Sequence, residues 1–370
     1  MKFIVIRTNL KDGVSVVEKG GGENLNLPIL KNILIETDIN KIKLTATDLE
    51  IAISYFVSCK VIENGKFTVP ASILSNLINN IPSERLNIEK KGSKLEIKTD
   101  NYTASIQGLT AEDFPITPKI KNQNEYIEIK TEVLKEALDQ ILITSQFSDI
   151  RPELNSVLFD FSLNSIKLAA TDSFRLSEKV INKDRFNTNH KNNFKVLIPL
   201  KTAQEISKII KDGEDLRIYH DENQILFKTE KLEFLSRLVE GNFPDYTQII
   251  PKKFNIEAII NRQEFSNALK LAGIFGSKNG EVKLKIQNNK KAIEVISFDQ
   301  SLGENNYILP AKIKGEAKEI TFNWRYLFDV LKVLNAEEIF FGINSENEPA
   351  ELKSLNDESY LYILKPIVSD

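Results

Sequence analysis

Two patterns of apolar and polar residues alternate along this chain. Stretches such as KLEIKTD at 94–100 and ILFKTE at 225–230 change from apolar to polar at nearly every residue, which is typical of half-buried strands. Stretches such as YIEIKTEVLKEAL at 126–138 begin as a strand and continue with the three- and four-residue spacing of an amphipathic helix. Strands and helices therefore mix along the whole chain, which favours an α+β fold with mostly antiparallel sheet.

These patterns recur with a long period. Four landmarks come in the same order, and their successive copies lie between 123 and 132 positions apart. They are a strand-to-helix opening (Leu10, Val133, Phe265), an aspartate at a strand end (Asp48, Asp172, Asp299), the start of a second helix (Pro70, Pro199, Asn323) and a Phe-Pro pair in the first two copies (Pro115, Pro244). A period this long indicates whole domains, because solenoid repeats are about 20–50 residues. The 370 residues are thus predicted to form three tandem domains over 1–124, 125–253 and 254–370.

The composition of the chain excludes several classes of protein. The net charge is −3 and charged residues make up 27% of the chain, so a uniformly basic nucleic-acid binder is excluded and any basic surface is local. Cys59 is the only cysteine, which excludes a disulfide framework and favours a reduced, cytoplasmic setting. No run of 18 apolar residues occurs, so no membrane contact is expected.

Catalytic and metal-binding patterns are missing from the sequence. The only histidines, His190 and His220, stand in polar contexts without ligand-spaced partners, and we expect them to be exposed to solvent. No phosphate-binding loop, dinucleotide fingerprint or nucleophile elbow occurs. The repeated aspartates are typical of residues that cap a turn through their side chains. We therefore predict a protein without enzymatic activity, cofactor or metal, and an enzyme that uses these aspartates is the alternative.

Several motifs together resemble the beta-subunit family of bacterial DNA polymerase III, the sliding clamps. They are NLPILKNILIE at 26–36, LTATDLEIAI at 44–53, FTVPASIL at 67–74, DIRPELNSVLFD at 149–160, AATDSFRLSEKV at 169–180, LVEGNFPDYTQIIP at 238–251 and YLYILKPI at 360–367. The resemblance spans essentially the whole chain. It implies three tandem DNA-clamp domains in a head-to-tail homodimeric ring around duplex DNA, with helices lining the ring and antiparallel sheets outside.

Simple geometry agrees with two chains in such a ring. A domain of this size has a diameter of roughly 35 Å. Three such bodies leave an opening of about 6 Å, less than the depth of one DNA groove at about 8.5 Å, whereas six leave about 35 Å. If the chain encircles duplex DNA, it does so as a dimer.

The resemblance also implies a pocket that binds short Gln-, Leu- and Phe-rich peptides of the clamp loader, the replicative polymerase and repair proteins. Its residues are Arg151 at the rim and Leu154, Thr171, Phe174, Arg175, Leu176, Pro244, Ile249, Pro349, Ile363, Lys365, Pro366 and Ile367. Phe174 stands where the family often has His, and Lys365 where an apolar residue is common. The alternative for these apolar side chains is ordinary core, and the alternative for the protein is a peptide-binding scaffold that does not contact DNA.

Two further surfaces follow from the resemblance. The second helix of the later copies carries cations at equivalent positions, Lys201 with Lys208 and Arg325 with Lys332, which would face DNA phosphates without reading bases. The first copy has Ser72 and Asn79 there, and Asn24, Phe147 and Pro152 stand where some members have DNA-contacting residues. At the dimer seam, Ala104 and Ile106 would meet Ile274 and Phe275 of the second chain.

Overall fold

The computed structural model describes residues 1–22, 26–145, 151–276, 279–287, 289 and 291–368. These residues form six α-helices and 25 strands, together with short 3-10 turns. They fall into two compact units. The first unit comprises Met1–Glu132, Phe186–Lys191 and Glu205–Leu238, and the second comprises Val133–Arg185, Asn192–Gln204 and Val239–Asp370.

The elements follow one another in three similar series. The first is β1 (Lys2–Ile6), α1 (Arg7–Val17), β2 (Asn32–Asp38), β3 (Lys41–Thr47), β4 (Ile51–Glu63), β5 (Lys66–Pro70), α2 (Ala71–Asn80), β6 (Arg85–Lys91), β7 (Lys94–Lys98) and β8 (Thr103–Gln107). The second is β9 (Ile127–Lys130), α3 (Thr131–Leu142), β10 (Ser156–Phe161), β11 (Ser165–Thr171), β12 (Arg175–Asn182), β13 (Phe186–Thr188), β14 (Phe194–Pro199), α4 (Leu200–Ile209), β15 (Asp215–His220), β16 (Gln224–Lys228) and β17 (Leu232–Arg237). The third is β18 (Ile256–Asn261), α5 (Arg262–Ile274), β19 (Glu281–Gln287), β20 (Ala292–Asp299), β21 (Gly303–Lys314), β22 (Lys318–Asn323), α6 (Trp324–Val333), β23 (Glu338–Ile343), β24 (Ala350–Ser354) and β25 (Tyr360–Leu364).

The order of elements confirms the threefold α+β repeat that the sequence predicts. The first and third series have the same sequence of strands and helices, and the second differs by one extra short strand, β13. In every copy the first strand and the first helix are contiguous, as are the fifth or sixth strand and the second helix. The boundaries at 124/125 and 253/254 fall between elements and stay predictions.

Each compact unit is built on one antiparallel sheet. In the first unit the strands run in the order β13-β9-β15-β16-β17-β4-β1-β6-β7-β8, with β2, β3 and β5 attached beside β4. In the second unit the order is β14-β10-β11-β12-β25-β24-β23-β18-β21-β20-β19-β22. The β17–β4 pair joins strands of the first and second copies, and the β12–β25 pair joins strands of the second and third. The sheets therefore continue across the boundaries that the sequence repeat suggests.

Helices cover these sheets with one apolar face. In α1 the buried positions include Leu10, Val14 and Val17, which follow the spacing of one helical face. In the third copy α5 packs against α6, and Gly273 lies against the indole of Trp324, where a Cβ would come within 2.8 Å of the ring. Full burial of each large apolar side chain contributes about 1.5–3 kcal/mol, which fixes the helices on the sheet.

The second helices begin where the sequence predicts, with one difference at the proline. Pro70 and Pro199 end their strands and directly precede the helices at Ala71 and Leu200, instead of occupying the first helical turn. In the third copy Asn323 takes this place, and its side-chain oxygen accepts a hydrogen bond from the amide of Arg325 at 2.9 Å. The backbone nitrogen of the residue before a helix makes no hydrogen bond within the helix. Proline and asparagine can therefore both end the strand and begin the helix without a loop.

The two histidines are not in open solvent, so that expectation is wrong. His190 and His220 stack in the first unit with ring centroids 5.4 Å apart, and the side chain of His190 is only 7% exposed. Its Nδ1 lies 3.8 Å from a carboxylate oxygen of Glu125. Strand β13 and the end of β15 bring the two rings together, which the distance of 30 residues along the chain did not indicate.

This stacked pair predicts a loss of stability in mild acid. Burial lowers the pKa of both imidazoles, and for His190 the charge of His220 lowers the pKa further. A pKa that folding lowers means that the stabilisation is complete above the unfolded value, about 6.5, and is lost as pH falls through the folded values. We expect the melting temperature of the wild type to fall between about pH 7.5 and about pH 5.5 more than that of a His190→Gln, His220→Gln variant. Equal decreases in both proteins would show that the pair does not titrate in this way.

Candidate peptide-docking site

A tight turn connects β11 to β12 and positions the motif TDSFRL. The Oγ1 of Thr171 donates to the carbonyl of Arg175 at 2.7 Å. One carboxylate oxygen of Asp172 accepts from the amides of Phe174 at 2.9 Å and Arg175 at 2.8 Å. Ser173 between them has a φ of 76°, which this pair of side-chain hydrogen bonds stabilises. The turn thus directs Phe174 outward, and its side chain is 60% exposed.

The same turn occurs between β3 and β4, which explains the repeated motif. Thr47 donates to the carbonyl of Ile51 at 2.6 Å, and Asp48 accepts from the amides of Glu50 and Ile51 at 3.0 and 2.8 Å. In the third copy Asp299 accepts from the amides of Ser301 and Leu302. All three aspartates therefore cap turns, as predicted. Among the described residues no group of three His, Cys, Asp or Glu side chains could hold a metal.

Arg175 is held from three sides. Its Nε donates to Asp172 and its Nη1 donates to Asp329 on α6, each at 2.9 Å. Its guanidinium lies over the ring of Tyr326, 4.1 Å from the ring centroid. A planar guanidinium suits this combination of carboxylates and an aromatic face. The arginine that the sequence places in the pocket thus links the turn to α6, and its side chain is 10% exposed.

Strands β12 and β25 bring the two apolar parts of the site together. Leu176 stands opposite Ile363 in the antiparallel register, and the amide of Lys365 donates to the carbonyl of Phe174 at 2.8 Å. A hydrophobic cluster forms around this pair, and we call it the partner pocket because Leu176 and Ile363 belong to the peptide site that the sequence predicts. Its buried members are Leu158, Ala169, Leu176, Leu197, Tyr246 and Ile363, with Val239, Phe243, Ile250 and Leu361 packed against them.

Tyr246 closes the polar end of the partner pocket. Its hydroxyl donates a short hydrogen bond to the carboxylate of Glu178 on β12. Burial raises the pKa of Tyr246, and the hydrogen bond to Glu178 raises it further, so the phenol stays protonated and acts as a donor. Phe243 contacts Tyr246 edge to face, with ring centroids 6.0 Å apart. The segment after β17 is therefore fixed to the sheet by aromatic packing and one polar anchor.

The other predicted pocket residues differ in exposure. Leu154 and Thr171 are buried with Leu176 and Ile363, whereas Pro349, Pro366 and Ile367 are half-buried and Arg151, Pro244, Ile249 and Lys365 are exposed. The amide of Ile367 donates to the carbonyl of Thr321 at 2.8 Å, which holds the chain after β25 against β22. The predicted pocket residues thus divide into a buried group and an exposed group that includes Phe174, Ile249 and Lys365.

The sequence does not indicate four residues that contact Tyr246 or Arg175 in the structure: Phe243, Glu178, Tyr326 and Asp329. Tyr326 and Asp329 lie three positions apart on α6, so the sequence does place them on one helical face. Nothing in the sequence indicates that this face meets Arg175, which is about 150 residues earlier. Glu178 lies in an alternating strand, where a carboxylate usually faces solvent.

The predicted DNA-facing cations lie on α4 and α6, and all four are exposed. The Nζ of Lys208 lies 3.0 Å from Glu205, and that of Lys332 lies 2.8 Å from Asp329. Both acids stand three positions before the lysine on the same helix. Arg325 lies over the ring of Trp324 at 5.0 Å. Pro152 is in a 3-10 turn, Pro152–Leu154, and Asn24 and Phe147 lie outside the described residues.

The predicted seam residues differ strongly in accessibility. Ile274 at the end of α5 is 62% exposed and Phe275 follows it as a half-buried residue. Ala104 is half-buried, but Ile106 is only 2% exposed within its own unit. The side chain of Ile106 therefore belongs to the core of the first unit, and only its backbone lies at the sheet edge.

This fold, with three α+β copies that share a turn-capping aspartate, is that of a DNA clamp. Models of the N-terminal, central and C-terminal domains of the DNA polymerase III beta subunit match residues 1–118, 128–245 and 247–368. The beta sliding clamps of Bacillus subtilis and Synechococcus elongatus are 29% and 27% identical to the chain, over 99% of each chain. The crystal structure of the DNA polymerase sliding clamp from Bacillus subtilis covers all of both chains with a TM-score of 0.94 at 28% identity. A putative DNA polymerase III beta subunit from Eubacterium rectale gives 0.92 at 27% identity.

The chain belongs to the DNA polymerase III beta subunit family. Its function is that of a sliding clamp, which gives a DNA polymerase processivity and is not an enzyme. No helix in the described part of the chain is long and apolar enough to cross a membrane.

Proposed function

We propose that two copies of this chain close head to tail into a ring around duplex DNA. In this proposal the partner pocket tethers the clamp loader, the replicative polymerase and repair proteins through short peptides rich in Gln, Leu and Phe. The ring is best supported by the pairing of strands that stand at equivalent places in the three copies. Two of the three possible junctions between copies are formed inside the chain, and the strands of the third are left at sheet edges.

The two internal junctions have the same construction. The last strand of the second copy, β17, pairs with the start of β4 through Ile51–Tyr55, and Ile51 stands opposite Ser236. The last strand of the third copy, β25, pairs with the start of β12, and Arg175 stands opposite Leu364. Ile51 and Arg175 both come three residues after the turn aspartate, so the two registers are equivalent.

The strands that would form the third junction are β8, the last strand of the first copy, and β21 of the third copy. Strand β8 ends its sheet and pairs only with β7 among the described residues. The first half of β21, over 303–310, pairs only with β20 in the same part of the chain. Unpaired edges attract a further strand, and β8 of one chain matches β21 of a second chain by the rule of the other two junctions.

The chemistry around β21 favours this contact. Phe298, Leu302 and Ile308 are each at least 60% exposed, as is Ile274 at the end of α5. The ring of Phe275 lies beside Gly303, 3.8 Å from the position of a Cβ. An apolar edge of this kind is typical of a surface that a second chain covers. Two chains joined at both ends in this way contain six copies, the number that leaves room for duplex DNA.

The lining cations fit a weak and sequence-independent contact with phosphates. Lys201, Lys208, Arg325 and Lys332 are exposed on the second helices of two copies. Because Lys208 and Lys332 each lie beside an acid of the same helix, their net attraction for phosphate is reduced. A ring that slides needs such contacts to be weak, and its closure supplies the retention.

The partner pocket suits a short peptide with large apolar side chains. Its floor is apolar, Phe174 adds an exposed aromatic surface at the rim, and Lys365 next to it offers a positive charge to an acidic residue. Burial of two or three apolar side chains of the peptide supplies several kcal/mol before the cost of ordering it. A modest affinity results, which allows partners to exchange.

Removing the aromatic ring of Phe174 tests this pocket. We expect Phe174→Ala to weaken binding of a Gln-Leu-Asp-Leu-Phe peptide by about five- to thirtyfold, because truncation of an aromatic anchor typically costs about 1–2 kcal/mol. The melting temperature is expected to stay the same, since the ring is exposed. Ile39→Ala is the control, because Ile39 is an apolar residue that is 85% exposed and lies in the turn between β2 and β3, outside both the pocket and the proposed seam. Calorimetry that finds equal affinities for the two variants would place the peptide elsewhere.

A further inference from the structure

A cavity of about 300 Å³ lies in the first unit, away from the partner pocket. It is bordered by β3, β4, β16, β17 and the segment at the end of the first copy, over 117–123. Its apolar lining is Ala52, Phe56, Pro118, Ile120, Leu226 and Leu235. None of these residues is used by the function proposed above.

The cavity occupies the position in the first junction that the partner pocket occupies in the second. Ala52 comes four residues after the aspartate of its turn, as Leu176 does. Leu235 stands opposite Ala52 in β17, and Ile363 stands opposite Leu176 in β25. The backbone also agrees, because the amide of Arg237 donates to the carbonyl of Glu50 as that of Lys365 donates to the carbonyl of Phe174.

Smaller side chains explain why space remains at this position. Ala52 replaces Leu176, and Thr117 stands where the spacing from the Phe-Pro pair places Tyr246 in the other copy. Leu176 and Tyr246 are both buried members of the partner-pocket cluster. With an alanine and a threonine in their place, the corresponding volume is not filled by the chain.

The segment at the end of the first copy gives the cavity an apolar wall. Ile120 and Ile249 each come five residues after the proline of the Phe-Pro pair. Ile249 is 43% exposed, whereas Ile120 is only 4% exposed and belongs to a cluster with Ala52, Tyr219, Leu226 and Leu235. The cavity therefore has a fixed wall and floor.

The charges around the cavity are mostly positive. Lys43 and Lys119 line it together with one acid, Glu233. Glu233 is already engaged by Lys228 at 2.8 Å and by Lys43 at 3.5 Å. Burial acts to raise the pKa of Glu233, but the hydrogen bond and charge of Lys228, with those of Lys43, lower it on balance, so this acid stays ionised. The two lysines that line the cavity outnumber its one acid, which favours a ligand that brings negative charge.

We propose that this cavity is a second docking site for a short peptide that combines apolar and acidic side chains. The inference rests on the proposed peptide-docking function, since it assigns the same class of ligand to the equivalent position of the other junction. A volume of about 300 Å³ is at the small end of the range for ligand sites and admits one or two apolar side chains. The second site therefore binds more weakly than the partner pocket.

Calorimetry with a chain that lacks residues 365–370 tests this site. The probe is the peptide Gln-Leu-Asp-Leu-Phe with a free carboxylate, titrated into the truncated chain and into the full chain. We expect the truncation to remove the tighter binding event and leave one weak event per chain. Ala52→Leu, which fills the cavity with the side chain found in the partner pocket, is expected to weaken that event by about tenfold or more.

A second variant keeps the test independent of folding at Ala52. Lys43→Ala with Lys119→Ala is expected to weaken the residual event several-fold, and Lys94→Ala on β7, also exposed and outside the cavity, is the matched control. Absence of a residual event at millimolar peptide overturns the second site, as does a residual event that neither Ala52→Leu nor the lysine pair weakens. If truncation leaves the tighter event unchanged, the partner pocket is wrong, and the second site is judged by its own variants alone.

Discussion

A single cut in a circular duplex is expected to release the loaded protein, while high salt is not. After loading by a clamp loader, the protein should stay on intact circles at salt concentrations that leave the dimer closed. Linearisation should then let it slide off the ends. Gel filtration of the DNA before and after cutting measures the fraction of protein that remains bound.

The physical reason is the small number of cations that can meet phosphates. Each phosphate contact contributes a log-log salt slope of about −0.9, so a groove that depends on such contacts loses its affinity steeply as salt rises. The chain has a net charge of −3, and two of its four candidate lining cations lie beside acids. A closed ring is held by topology and does not need these contacts.

The lining cations are expected to act in loading. Lys201→Glu with Lys208→Glu should slow loading more than it shortens retention, because the charges attract the duplex during entry. The Lys94→Ala chain serves as a control with an altered charge on β7. Loss of the protein from intact circles at the same rate as from linear DNA, with the dimer still closed, would contradict encirclement.

The second large effect is expected for a substitution at the proposed seam between the two chains. Ile274→Asp should convert the dimer into a monomer, because it places an unpaired carboxylate where the proposal puts an apolar contact between β8 and β21. A loss of several kcal/mol at each seam raises the dissociation constant of the dimer by about a hundredfold or more, since about 1.4 kcal/mol corresponds to a factor of ten. Light scattering should then report the mass of one chain, and retention on circular DNA should be lost.

Ile116→Asp is the matched control for this variant. Ile116 is 95% exposed and lies outside the proposed seam, so the same change there should leave the mass and the melting temperature as they are. Because Ile274 is also exposed, its replacement does not disturb the core of the second unit. An Ile274→Asp protein that keeps the wild-type mass would show that the end of α5 is not in the seam.

Motifs of residues that are close together in the sequence predicted much of the fold. The repeat could be identified because each copy keeps the same turn-capping aspartate and the same strand-to-helix transition, and both depend on residues close in sequence. Asp48 and Asp172 make the same hydrogen bonds in the structure that their common motif suggested. Helix starts at Ala71 and Leu200 were likewise given by the preceding proline.

Contacts between distant segments could not be predicted in this way. The stacking of His190 on His220 depends on the extra strand β13, and the bond from Arg175 to Asp329 depends on which face of α6 meets the turn. Ile106 was assigned to the seam by motif, but its side chain is buried because alternate residues of β8 face the core of the first unit. Family motifs predict that Leu176 and Ile363 belong to one pocket, and the register of β12 and β25 explains why the two residues lie together.

The mass of the unmodified chain in solution tests the central proposal most directly. Light scattering at micromolar concentration should give about twice the 42.1 kDa of one chain, and the value should persist on dilution until the dimer dissociates. A ring closed by two equivalent β8–β21 seams requires this stoichiometry. A stable monomer or a trimer under these conditions would contradict the proposal that two chains encircle the duplex.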